Sequence, residues 1–115
     1  MDDDPHTLET LSELLGLEGA MVTTADSGEA ALEAARQGEF DLAISDIAMP
    51  GMDGFELIMR LRELPHGRPW RAIALTGFGR PEEVAKSRAA GFDLHLNKPV
   101  SLEALNDAVA SIRRR

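Results

Sequence analysis

A chain of 115 residues with no cysteine is expected to form one domain, spanning 1–115, without disulfides or thiolate metal sites. Its net charge of -8 leaves no basic surface for a phosphate backbone, so no nucleic acid is expected as a partner of this domain. No apolar run approaches the roughly 20 residues of a membrane span, and the acidic start MDDDPH is not a signal peptide, so a cytoplasmic chain with no membrane contact is expected.

In chain order, Asp4 is placed to cap a helix whose first position is Pro5, where a missing N–H costs nothing. That helix is expected to reach Leu15, with Leu8, Leu11 and Leu15 on one face, and to end at Gly16 or Gly19. AMVTTA at 20–25 reads as a strand, and 27–37 as an alanine-rich helix stopped by Gly38. LAIS at 42–45 reads as a short buried strand. A helix over 55–64 turns Leu57, Ile58 and Leu61 inward and stops at Pro65. AIAL at 72–75 is a further strand, and 81–90 a helix ended by Gly91. Residues 94–97 form a short strand. Ser101 caps a last helix striped by Leu102, Leu105, Val109 and Ile112. The run Arg113-Arg114-Arg115 suits the negative end of that helix. Strands alternating with single helices predict parallel βαβ units and an α/β sandwich. The first helix has no strand before it.

Ligands of open parallel sheets sit at the carboxyl ends of the strands. Asp46 follows LAIS, Thr76 follows AIAL and Lys98 follows LHLN, while Asp2 and Asp3 stand before the first helix, where a strand end belongs. These five side chains are expected to converge. Two carboxylates about 4 Å apart repel by roughly 4 kcal/mol at an effective dielectric near 20. Three acids therefore call for a cation, and hard oxygen donors suit Mg2+. A carboxylate can also attack phosphorus and form an aspartyl phosphate. Lys98 and Thr76 would then hold the phosphoryl oxygens, because phosphoryl transfer depends mostly on positioning and charge.

DDD at 2–4, SDIAMPGMDG at 45–54, ALTG at 74–77, GFDLHLNKPV at 91–100 and SLEAL at 101–105 resemble, in this order and spacing, a response-regulator receiver domain of two-component signalling. The likeness covers nearly the whole chain. It implies a flavodoxin-like doubly wound parallel sheet of order 2-1-3-4-5, or a truncated 2-3-4-5, since only Met1 stands where the first strand belongs. It implies that Asp46 is the phosphoacceptor, and that Asp3, Asp46 and the Ala48 backbone carbonyl bind Mg2+ directly, with Asp2 acting through water. Thr76 becomes the switch hydroxyl, Lys98 the phosphoryl counterion, and His95 occupies the position that often holds a tyrosine or phenylalanine switch. A cis Lys98–Pro99 bond is implied as well.

The implied phosphoryl donor is a sensor histidine kinase or a histidine phosphotransfer domain, and a fused output or kinase domain fits the same likeness. The signal would leave through the face of the fourth helix, the last strand and the last helix. Such a chain assists its own phosphorylation and dephosphorylation as a switch and is not a turnover enzyme. Pro50, Gly51 and Gly54 are expected to shape the loop after Asp46, with Gly54 in a backbone conformation that other residues avoid. Asp53 is expected to cap or turn, Met49, Met52 and Met59 to pack, and Trp70 to anchor the strand after it. His95, near neutrality in ordinary pKa, is expected to make the switch pH-dependent.

Two other classes stay open. A phosphorylation-independent interaction module would keep the fold without the chemistry, although Asp46, Thr76 and Lys98 argue against it. A Mg2+-dependent phosphohydrolase working through an aspartyl phosphate would want a DxDx(T/V) strand end, which SDIAM does not supply. The short amino terminus predicts lowered stability, or repair by strand rearrangement or by strand exchange in a homodimer.

Overall fold

The structure is a computed structural model and describes residues 1–2, 4–17, 19–38, 40–48, 51–64, 71–77, 81–98 and 100–113. Its elements are α1 (Pro5–Leu17), α2 (Gly28–Gln37), β1 (Leu42–Asp46), α3 (Gly54–Glu63), β2 (Arg71–Thr76), α4 (Pro81–Ala90), β3 (Leu94–Asn97) and α5 (Leu102–Arg113). Helix starts follow local chemistry. Ser27, Asp53 and Ser101 each accept a hydrogen bond from the backbone N–H three residues on, at 3.2, 2.9 and 3.1 Å. Asp4 does the same work for α1: Oδ1 accepts from His6 N–H and Oδ2 from the Thr7 hydroxyl. Proline opens both α1 and α4, where its fixed φ suits the first turn.

The three strands are parallel in the order β1-β2-β3, with Ile44 opposite Ile73 and Ile73 opposite Leu94. β2 is central and buried on both faces. Its side chains alternate between two cores, as strand geometry demands. Ala72 and Ala74 join Ala31, Leu32, Ala35, Leu57, Ile58 and Leu61 beneath α2 and α3. Ile73 and Leu75 join Leu11, Leu105, Ala108 and Ile112 beneath α1 and α5. Continuous apolar strands covered on both faces are what a parallel sheet requires. The architecture is the flavodoxin-like one: a parallel sheet flanked by helices.

The expected strand at 20–25 does not form. Residues 20–25 belong to no strand, and Met21 is 99% exposed. Among the described residues no strand stands beside it. A strand is held by a ladder, and among the described residues this segment meets the sheet side through Asp2 N–H to Ala25 O at 3.1 Å, while Ala20 N–H donates back to Leu15 O in α1. Met1 occupies the adjacent slot: its amino group donates to Ile44 O, and its carbonyl accepts from Asp46 N–H at 2.8 Å. Met1 and Asp2 thus occupy the carboxyl end of a strand position between 20–25 and β1. The segment does not slide over to close the gap, so the truncated order 2-3-4-5 is not adopted either.

Smaller expectations also shift. Leu102 is 38% exposed and starts α5 outside the core, while Leu105 and Ile112 are buried. Met59 is exposed on α3, whereas Met52 packs beneath α2 and α3. α1 runs through Gly16 to Leu17. In the loop after β1, Gly51 carries the left-handed backbone, with φ at 76°. Gly54 does not, and it is needed for space: a Cβ there would stand 2.7 Å from Ile47 Cα. Expectations for Asp3, Met49, Pro50, Pro65, Trp70, Pro99, Arg114 and Arg115 lie outside the described residues.

Candidate functional site

Parallel register brings the strand ends together. Asp46 ends β1 opposite Leu75, and Thr76 ends β2 opposite Asn97. Lys98 follows β3, and its backbone N–H donates to Thr76 O at 2.8 Å. Asp2 reaches the same edge because Met1 and Asp2 are hydrogen-bonded between β1 and Ala25. Four residues distant in sequence therefore meet at one end of the sheet, and three of them, Asp2, Asp46 and Thr76, are buried.

Lys98 is the centre of charge. Its Nζ lies 2.7 Å from Asp2 Oδ2 and 3.0 Å from Asp46 Oδ2. Burial works against the ammonium, but bonding and attraction from Asp2 and Asp46 outweigh it and hold the lysine above its usual range. The Asp46 carboxylate is fixed by a second donor, the Ala48 N–H, 3.0 Å from Oδ1. Asp2 Oδ1 accepts from Asp4 N–H at 2.9 Å. Asp2 Oδ2 is fully buried, and its partner is the Lys98 ammonium at 2.7 Å.

That oxygen provides a test of whether a metal would fit. It belongs to one of two buried carboxylates, Asp2 and Asp46, that converge on one ammonium, and paired carboxylates are a donor set suited to a hard divalent cation. Asp2 and Asp46 fit Mg2+ in chemistry, and Ala48 follows Asp46 two residues on, its N–H bonded to the Asp46 carboxylate. Among the described residues no cluster of three or more acidic or histidine side chains forms, and Asp3 lies outside them.

Two further expected site residues, Thr76 and His95, have other contacts. The Thr76 hydroxyl donates to Glu83 Oε2 on α4 at 3.1 Å. His95 pairs in register with Ala74 and is half-buried on β3. Glu83 is the residue that the sequence reading missed. From sequence it is one of two acids in the first turn of α4, where a carboxylate suits the helix dipole. Its contact with Thr76 depends on how α4 docks, which no local pattern encodes.

A buried carboxylate bound to an ammonium and a backbone N–H is held in one orientation with its charge partly offset. It can act as a nucleophile if an electrophile reaches the strand ends. A model of the family described as "response regulator receiver domain" matches residues 1–110. An uncharacterised 14.6 kDa protein of Leptolyngbya boryana is 47% identical over 100 residues, covering 87% of this chain and 76% of that one. The virulence sensor protein BvgS of Bordetella pertussis is 40% identical over 119 aligned positions, covering 96% of this chain but 10% of its own length. Among solved structures, the chemotaxis protein CheY4 of Vibrio cholerae superposes with a TM-score of 0.91 at 32% identity, covering 96% of this chain and 92% of that one.

Proposed function

Since the chain belongs to the response regulator receiver domain family, we propose that Asp46 accepts a phosphoryl group from a partner's phosphohistidine and that the chain acts as a switch, not as a turnover enzyme. The observation that carries this is the single Lys98 ammonium shared by Asp2 and Asp46, at 2.7 and 3.0 Å.

In the transfer, an Asp46 oxygen forms a P–O bond while the P–N bond of the donor breaks. The electron pair of the P–N bond leaves with the imidazole. The Ala48 N–H and Lys98 orient the carboxylate beforehand, so little reorganisation is left for the reaction itself. Lys98 then moves from balancing two carboxylates to balancing the new phosphoryl charge. Mg2+, when bound by Asp2, Asp3, Asp46 and the Ala48 carbonyl, would neutralise phosphoryl oxygens and align the donor. Thr76 would close on the acyl phosphate, and His95 would follow, altering the face of α4, β3 and α5.

The donor in this reading is a sensor histidine kinase or a histidine phosphotransfer domain, and the likeness to part of a sensor protein supports it. A cytoplasmic setting belongs to the same proposal: among the described residues no helix is long and apolar enough to cross a membrane.

The test is intact mass after treatment with acetyl phosphate or phosphoramidate and Mg2+, with Asp46→Ala in parallel. The expected result is a labile gain of about 80 Da, one phosphoryl group, absent from the variant. A folded protein that gains nothing would favour the interaction-module reading. Turnover of a generic phosphatase substrate would favour the phosphohydrolase.

A further inference from the structure

The Thr76 hydroxyl has one proton, and two acceptors would compete for it. In this structure the proton goes to Glu83. Thr76 is buried at the end of β2, and Glu83 is half-buried in the first turn of α4, with 3.1 Å between Oγ1 and Oε2. The backbone of Thr76 is fixed independently, by the Lys98 N–H on its carbonyl. Reorienting the hydroxyl therefore means turning the side chain, with the strand left in place. A hydrogen bond to a carboxylate is about twice as strong as one to a neutral acceptor. While it holds, the hydroxyl cannot donate to a phosphoryl oxygen on Asp46.

We infer that Glu83 is a positioning residue that latches Thr76 in the resting state, so that phosphorylation of Asp46 must draw the hydroxyl away from α4. This rests on the phosphoacceptor reading and adds to it a second acceptor that sets the resting bias. It also gives α4 a direct link to the site: releasing Glu83 frees an acid on the first turn of the helix at the signalling face. Glu83→Gln keeps the size and an acceptor oxygen but removes the charge. The equilibrium should move toward the released hydroxyl by roughly three- to tenfold, the usual difference between charged and neutral hydrogen bonds.

Two measurements on the full chain decide the matter. The first needs no phosphorylation: methyl NMR of Thr76, reporting its side-chain rotamer, in wild type and Glu83→Gln. One dominant rotamer in wild type and averaging in the variant is expected; identical rotamer populations would overturn the latch. The second is the rate of the acetyl phosphate reaction at Asp46 in wild type, Glu83→Gln, Thr76→Val and the double variant. Glu83→Gln is expected to speed the reaction about three- to tenfold, and to have no such effect when Thr76 is valine. An equal gain in both backgrounds would show that Glu83 acts without Thr76 and would refute the inference. If Asp46 takes no phosphoryl group in any of these proteins, the phosphoacceptor reading fails, and the rotamer comparison still decides the latch.

Discussion

At the scale of single residues the site is a problem in charge. Asp2 and Asp46 are buried, and one ammonium serves both. Removing it with Lys98→Met leaves two carboxylates facing each other. Losing one partner of a fully buried pair costs about 3–5 kcal/mol; the Lys98 side chain is 26% exposed, so water screens it and about 1–2 kcal/mol is expected. The pH dependence has a definite sign. The lysine is held above its ordinary value of 10.5 in the folded chain. Its contribution is complete below that value and is lost as pH rises through the folded pKa, because the folded state then binds the extra proton. This chain is well suited to the measurement: it has no cysteine or tyrosine, and its two lysines are Lys86 and Lys98. Urea unfolding between pH 9 and 12, about one and a half units either side of the ordinary lysine value, should show wild type losing stability, Lys98→Met nearly flat, and Lys86→Met following wild type. A flat wild-type profile would mean that the Lys98 pair contributes nothing to the fold.

At the scale of elements, two helix starts decide local geometry. Gly54 opens α3 directly behind Asp46. In an open helix alanine is better than glycine by about 1 kcal/mol. Here the added carbon would meet backbone at Asp46 O and Ile47 Cα, which cannot move aside as a side chain tip can. Gly54→Ala is therefore expected to destabilise by about 2 kcal/mol and to slow the reaction at Asp46; a rise in melting temperature would show that the loop has room. Asp4 caps α1, and the bond from His6 N–H, then that from Thr7, pull its carboxyl below the ordinary value. A depressed folded pKa contributes above the ordinary carboxylate range and fades as pH falls through the folded value. Asp4→Asn keeps an acceptor oxygen but does not titrate. The stability difference between wild type and Asp4→Asn should shrink as pH falls from 6 to 3, across the carboxylate range. A constant difference would remove the charge from the explanation. These starts were legible in sequence because capping is local chemistry: Asp4, Ser27, Asp53 and Ser101 each act within three residues. The role of Gly54 was misjudged for the same reason in reverse, since its constraint comes from a strand end, not from its own φ.

At the scale of the whole molecule, what the sequence reveals depends on how far each interaction reaches. LAIS and AIAL announce buried strands because a parallel sheet covered on both faces makes apolarity continuous. Convergence of Asp46, Thr76 and Lys98 then follows from parallel register alone. AMVTTA misled because strand propensity is fit to a neighbour, and among the described residues the neighbouring position is met by Met1 and Asp2. The open position makes its own prediction. On one side lies the edge of β1, met among the described residues by Met1; on the other lies 20–25, where Ala25 O accepts from Asp2 N–H. Met1 already runs parallel to β1, bonded to Ile44 and Asp46, so residues fused ahead of it would continue along Leu42 and Ala43. A five-residue apolar extension should fill the slot, turn 20–25 into a strand and add two ladders. Several kcal/mol gained in a domain of this size corresponds to a rise of roughly 10 °C in melting temperature. Slowed amide exchange at 22–25 should accompany it. An extension of glycine and serine, of equal length, is the control, because it can enter the slot but cannot fill the core beside Ile44 and Ala43. Equal melting temperatures for the two extensions would show that the slot is already satisfied, and that the edge of β1 does not limit the stability of this fold.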